Sequence, residues 1–217
     1  NYHYDMPSGG RFFANAYAQY YRFDLFTNFT FFLNDPVNGD GFQQSDRRVV
    51  YGGDVGYRHS GHLFDMDGAA TVGVQARVDD IHARLAPQVK RAPLGSTADS
   101  TIFEASYAPF LKLELQPTPW LRLAGGVRTE VFTFDVRNRC ANCAEQPAGN
   151  TSTGLVLPKM NVILGPWFET EFFANYGEGY HSNDARSAVA RAASPLAKAR
   201  NYEVGIRSKP WGPDGVE

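Results

Sequence analysis

Three groups of residues in this 217-residue chain have types and spacings that bear on chemistry. The first is the polar tract after residue 180, which carries His181, Asn183, Asp184 and Arg186. Neighbouring side chains on an extended chain point apart, so His181-Ser182-Asn183 does not converge as a nucleophile and its base. The second is Cys140-x-x-Cys143 in RCANCAEQ, which has the spacing of a metal clip, a redox pair or a loop staple. A thioredoxin-like pair opens a helix in a βαβ context, which the flanking residues do not provide. Two thiolates are half of a structural zinc set, and no nearby histidine completes it. The third is Glu169 with Glu171, placed on one face of an extended segment with room for paired carboxylates. NDPVNGDG, 34–41, has the composition of a calcium loop but lacks the twelve-residue register ending in glutamate. No set implies a metal or a cofactor, and no catalytic residue is assigned.

The elements that must position these groups read as β-strands. Aromatics at 14%, with 21 glycines and 13 prolines, favour a strand-rich chain with many turns. A net charge of −2 gives no polycationic signal for nucleic acid. The longest apolar run is three residues, against the ~20 that a membrane-spanning helix needs. A membrane β-barrel needs no such run, because alternate residues face its polar interior.

Alternation predicts about eight strands. The first, 11–33, sets Tyr17, Tyr21, Phe23, Leu25, Phe29, Phe31 and Leu33 against Arg22, Asp24, Asn28 and Thr30; 34–46 follows as a loop. The second covers 47–59. The third, 69–84, puts Ala70, Val72, Val74, Ala76 and Val78 on one face, and the phase flips to Ile81 and Ala83 as if at a bulge. A looser segment, 86–100, precedes the fourth strand, 101–116. The fifth starts at Trp120, the sixth covers 154–164, the seventh starts at Phe168 and the eighth covers 201–208. The long segment 182–199 has the composition to hold a short helix.

Three connections are tight, and each carries Pro-Trp: Pro119-Trp120, Pro166-Trp167 and Pro210-Trp211. The alternate ones, 34–46, 86–100, 138–153 and 182–199, are long and polar. Short turns on one rim and long loops on the other are the asymmetry of an outer-membrane barrel. Trp120, Trp167 and Trp211 then form a girdle at the membrane interface on the short-turn rim.

FFANYGEGYHSNDAR at 172–186, NYEVGIRSKPW at 201–211 and LFTNFTFFLNDPVNGDGFQQSDRR at 25–48 resemble the TonB-dependent outer-membrane receptors. The resemblance covers nearly the whole chain, as β-barrel. It implies an all-β fold, an antiparallel transmembrane β-barrel of which residues 1–217 supply about eight of 22 strands, with no plug domain. The implied place is the bacterial outer membrane, and the implied partners are the lipid bilayer, a small-molecule nutrient such as a siderophore, and TonB only through the plug that is absent here. The implied role is uptake, without catalysis. In that setting His181, Asn183, Asp184 and Arg186 lie at the barrel mouth, as ligand contacts or as a hydrogen-bonded loop base. The compartment is oxidising, so Cys140 and Cys143 are expected to form a disulfide. Glu169, Glu171, Lys112, Glu114, Arg122, Arg128, Glu130 and Arg207 are expected on a wet inner wall. Two other readings stand beside this one. One is a self-contained eight-stranded structural or adhesive barrel; the other is a soluble carbohydrate-binding β-sandwich with Trp120 and Trp167 as sugar platforms.

Overall fold

The computed structural model describes residues 1–141, 143 and 146–209. Ten strands run in chain order: β1 (Tyr2–Asp5), β2 (Gly10–Thr27), β3 (Phe42–Leu63), β4 (Met66–Val89), β5 (Ala92–Pro93), β6 (Ala98–Thr118), β7 (Leu121–Asn138), β8 (Gly149–Trp167), β9 (Thr170–Ser182) and β10 (Leu196–Ser208). One short helix, α1 (Ala185–Val189), lies between β9 and β10. Each long strand pairs antiparallel with its sequence neighbour in the order β1-β2-β3-β4-β6-β7-β8-β9-β10, and β5 folds back on the end of β4. The eight long strands are the eight predicted ones, now bounded by β1 and interrupted by β5.

The strands are longer than alternation in the sequence indicates. β3 and β4 reach 22 and 24 residues, where a tilted strand needs only about 9–11 to cross a bilayer. β3 turns into β4 through Phe64 and Asp65, both at positive φ, directly after the Leu63–Met66 pair. β2, by contrast, stops at Thr27, and the loop occupies 28–41 instead of 34–46. The segment 86–100 is mostly ladder: β4 continues to Val89, turns at Lys90-Arg91 and leaves only 94–97 irregular before β6.

The expected bulge after Asp79-Asp80 is absent. Val50–Asp79, Val49–Asp80 and Arg48–Ile81 follow one another without a break, and so do their pairs with β6. What changes at Asp80 is the environment of each face. Outward on β4 come Val72, Val74, Ala76 and Val78, then Asp80, His82 and Arg84; inward come Gln75, Arg77 and Asp79, then Ile81, Ala83 and Leu85. β7 exchanges its faces in the same way. Leu121, Leu123, Val127 and Val131 face out before Thr133, Asp135 and Arg137, while Arg122, Arg128 and Glu130 face in before Phe132, Phe134 and Val136. β2 corrects the reading of residues 11–33. Its outward row is Phe12, Ala14, Ala16, Ala18 and Tyr20, followed by Arg22 and Asp24, and Tyr17, Tyr21, Phe23 and Leu25 lie on the inward side.

The inward apolar residues at the long-loop end form the core. Ile81, Ile102, Phe132, Phe134 and Val136 pack with Leu196 of β10 and Ala185 of α1. Phe132 stacks on Phe134 and meets Tyr180 edge-on at 5.7 Å. Tyr180 shares the outward parity of Phe172, yet it reaches this inward cluster. β9 leaves β8 after the Lys159–Gly177 pair, and the Gly177-x-Gly179 backbone is where the strand turns over the concave side.

Candidate functional site: the concave wall and the base of its outer loop

The wall is built from ion pairs that alternation dictates. Residues two apart on a strand share a face, so Arg77 donates to Asp79 from Nε at 2.7 Å, Arg128 to Glu130 at 2.7 Å and Lys112 to Glu114 at 2.8 Å. Arg48 pairs with Asp46 in the same fashion. Other pairs tie strands together: Arg58 Nη1 donates to Glu114 at 2.5 Å, Arg128 Nη1 to Gln75 at 2.6 Å, and Glu171 accepts from both Arg122 and Arg207. A cavity of about 1200 Å³ lies against this face, lined among others by Asp54, Gln75, Lys112, Arg128, Lys159 and Asn161.

Of the carboxylates set together in the sequence, Glu171 is on this wall. Glu169 is not: with Phe168 it forms the tight turn, both at positive φ, so the two acids do not converge. Lys112, Glu114, Arg122, Arg128, Glu130 and Arg207 are all inward, as parity requires. Asp54, Gln75, Lys159 and Asn161 are additional lining residues, legible only once the parity of each strand is registered against its neighbour.

At the outer rim three of the four candidate residues build a loop base. Asn183 receives the returning chain: its backbone N–H donates to Pro195 O at 3.0 Å and its Nδ2 to Ser194 O at 2.6 Å. Asp184 caps α1, accepting from the Arg186 backbone N–H at 2.8 Å. The Arg186 guanidinium then closes on the same carboxylate, Nη2 to Oδ2 at 2.6 Å. These contacts hold the Asp184 carboxyl below the usual carboxylate range, the Arg186 side chain first among them. His181 is different: it sits on β9 opposite Ala197, exposed. Ala185 and Ala188 bury the inner side of α1, so the loop between β9 and β10 lies down on the concave face.

Asp35 and Asp40 do for the 28–41 loop what Asp184 does for α1. Asp40 accepts from the Asn34 and Asp35 backbone N–H groups at 3.0 and 2.8 Å, and Asp35 from those of Val37 and Asn38 at 3.0 and 2.8 Å. The carboxylates of the calcium-like stretch are thus engaged with backbone, and no cluster of three or more metal-ligating side chains occurs among the described residues. Cys140 and Cys143 are joined through their sulfurs, Cα atoms 5.4 Å apart, in the loop between β7 and β8.

At the opposite rim Trp120 and Trp167 come together from different turns. Their rings stack with centroids 6.2 Å apart, and Trp167 also meets Phe172 at 6.4 Å. A register shift precedes each turn, between Leu115 and Thr118 and between Leu164 and Trp167, where Pro117 and Pro166 cannot donate to the ladder. Trp211 lies outside the described residues.

A family model described as TonB dependent receptor-like, beta-barrel, matches residues 1–217. The chain belongs to that family. Among solved structures, the receptor barrel is similar to the unliganded ferric citrate transporter FecA, at 15% identity and a TM-score of 0.77, over 95% of this chain and 31% of that one. It is also similar to the alcaligin outer-membrane receptor FauA of Bordetella pertussis, at 13% identity and a TM-score of 0.51, over 95% of this chain and 35% of that one. At these identities the likeness is one of fold, and the receptor barrel spans about a third of either structure's length. No curated protein matches it. Members of the family are bacterial outer-membrane proteins that act as transporters and receptors.

Proposed function

We propose that this chain is a stretch of wall and outer loops of a bacterial outer-membrane receptor, which takes up a scarce nutrient through its lumen under the drive of TonB acting on a plug. The carrying observation is the slant of the outward apolar belt. Tyr20 of β2 is in register with Asn150 of β8 through Val49, Asp80, Phe103 and Asp135. The outward apolar row rising from the turns ends at Tyr20 on β2 and at the same level, Phe103, on β6, but at Val131 on β7 and at Val156 on β8, six residues nearer the turns. Six residues are ~20 Å along a strand, and the five strand spacings between are ~24 Å, so from β2 to β8 the edge of the belt crosses the ladder at ~40° on average. That is the tilt at which barrel strands cross a bilayer, roughly 35–45°. A soluble sandwich has no reason to step its apolar edge this way, and the long strands here all lie in one sheet. A self-contained eight-stranded barrel needs its first and last long strands paired, and β2 and β10 are not.

In this reading the four rim residues divide their work. Asn183, Asp184 and Arg186 hold the loop, and His181 meets the incoming solute. Trp120 and Trp167 sit among lipid headgroups, where an indole has an apolar body to bury and an N–H to donate. The disulfide at 140–143 staples the loop between β7 and β8.

The test is growth of a strain lacking this gene on single limiting nutrients, iron chelates first. Growth is expected to fail on one of them, to return with the wild-type gene and to return poorly with His181→Ala. Growth unaffected on every limiting nutrient overturns the reading.

A further inference from the structure

We infer that Arg22 and Arg47 form an outward-facing clamp for the phosphate of a membrane lipid headgroup, a reading that rests on the barrel standing in a bilayer. The two residues are direct partners in the β2–β3 ladder. Each is the first outward residue beyond the apolar belt, Arg22 above Tyr20 and Arg47 above Val49. Like charges directly opposite one another destabilise a sheet, so the arrangement calls for an anion between them.

The protein supplies half of one. Asp24 accepts from Arg22 Nε at 2.9 Å and from Gln43 Nε2 at 2.8 Å, which occupies both of its oxygens. Arg47 is exposed, and among the described residues it makes no hydrogen bond or ion pair. Its other ladder neighbour, His82, is engaged with Asp99 at 2.7 Å. The remaining acid on this side is Asp80, one step lower on β4 and in register with Val49.

Elsewhere along the belt's edge, among the described residues, no cation stands opposite another: the first outward residues on β6, β7 and β8 are Thr101, Thr133 and Gly154, and on β9 and β10 Glu178 and Arg200 are ladder partners, with Arg200 Nε donating to Glu178 at 3.1 Å. A guanidinium presents parallel N–H donors that match phosphate oxygens two at a time. With the belt buried in acyl chains, the anion at this height is the phosphate of a lipid. Tyr20 and Val49 beneath the pair then lie along the same lipid's chains.

The experiment uses the protein folded into zwitterionic vesicles with and without phosphatidic acid, then released into detergent for native mass spectrometry of retained lipid. Vesicle association that survives carbonate tests the underlying reading alone; a wild type that washes off sinks that reading, and this inference with it. Given association, the wild type is expected to retain phosphatidic acid over the zwitterionic lipid. Arg47→Gln should retain about tenfold less, Arg47→Lys an intermediate amount, and Asp24→Asn more, since a competing carboxylate is gone. Arg137→Gln, higher on the wall and paired with Asp135, should match the wild type. Heat-modifiable gel migration identifies any variant that has not folded, and Asp24→Asn tests the clamp without removing an arginine. Equal retention by wild type and Arg47→Gln overturns the inference. So does displacement of the lipid by millimolar inorganic phosphate, which would make this a site for free anions.

Discussion

Ile81 of β4 stands directly opposite Ile102 of β6 on the concave face, while Asp80 beside it faces outward. Within the belt the same two strands do the reverse, with Val72 opposite Leu111 on the outside and Thr71 opposite Lys112 on the inside. One uninterrupted ladder thus passes from a wall that is apolar outside and polar inside to one that is polar outside with an apolar lining. The exchange follows from the solvent on each side, since an apolar side chain is stabilised wherever it leaves water.

The lining at the outer end should therefore behave as a protein core. Phe134 is fully buried among Phe132, Val136 and the inner side of α1. Phe134→Ala is expected to cost about 3–4 kcal/mol in denaturant unfolding from micelles. It should also expose residues 183–195 to protease, because α1 loses its floor. An unchanged unfolding midpoint would mean that this cluster is not packed.

Below the exchange, the cost of a charge should depend on parity alone. Leu111 is outward near the middle of the belt and Lys112, its neighbour, is inward and paired with Glu114. Leu111→Arg is expected to cost about 2–4 kcal/mol on folding into vesicles, as an arginine does at mid-depth. Lys112→Arg should stay within about 0.5 kcal/mol. Equal costs at the two positions would remove the lipid-facing assignment.

The same exchange explains what the sequence shows and what it hides. The eight strands are legible because, within each zone, alternate residues meet different solvents; the rows Leu121, Leu123, Val127 and Phe103, Ala105, Tyr107 keep one environment throughout. Strand ends are not legible, because the apolar parity changes sides at Asp80 and at Phe132 with no change in backbone. A one-strand reading takes that for a bulge, and only the neighbours' unbroken register excludes it. In 11–33 the inward Tyr21, Phe23 and Leu25 outweigh the outward alanines, so the faces invert. The rim tract was visible as a polar cluster. That Asp184 turns back on Arg186, and that Asn183 holds Ser194 and Pro195, depends on partners brought in by the fold.

Glu171 ties three strands, accepting from Arg122 of β7 and Arg207 of β10. Its side chain is mostly covered, so Glu171→Gln leaves two guanidinium groups facing each other without a counter-charge. A loss of about 2 kcal/mol is expected in the unfolding free energy. Adding Arg207→Gln should recover part of it, a coupling that a double-mutant cycle measures directly. Additive losses would show that the three side chains act independently.

The loop base should loosen in acid. The Asp184 carboxyl is held below the usual carboxylate range, chiefly by the Arg186 side chain and then by its backbone N–H, against the opposing effect of burial. A carboxyl depressed in the folded state binds its proton more readily when the loop is open. The stabilisation is therefore complete above the ordinary aspartate value and drains away as pH falls through the lowered folded one. Hydrogen exchange at the α1 amides should accelerate across that acidic window and stay flat from there to neutrality. Asp184→Asn keeps a capping oxygen but has no charge to lose, so its exchange should be pH-independent once the intrinsic rate is divided out. Asp184→Ala removes the cap and should weaken the loop by about 1 kcal/mol at every pH. An acid response that persists in Asp184→Asn would place the titrating group elsewhere in the loop.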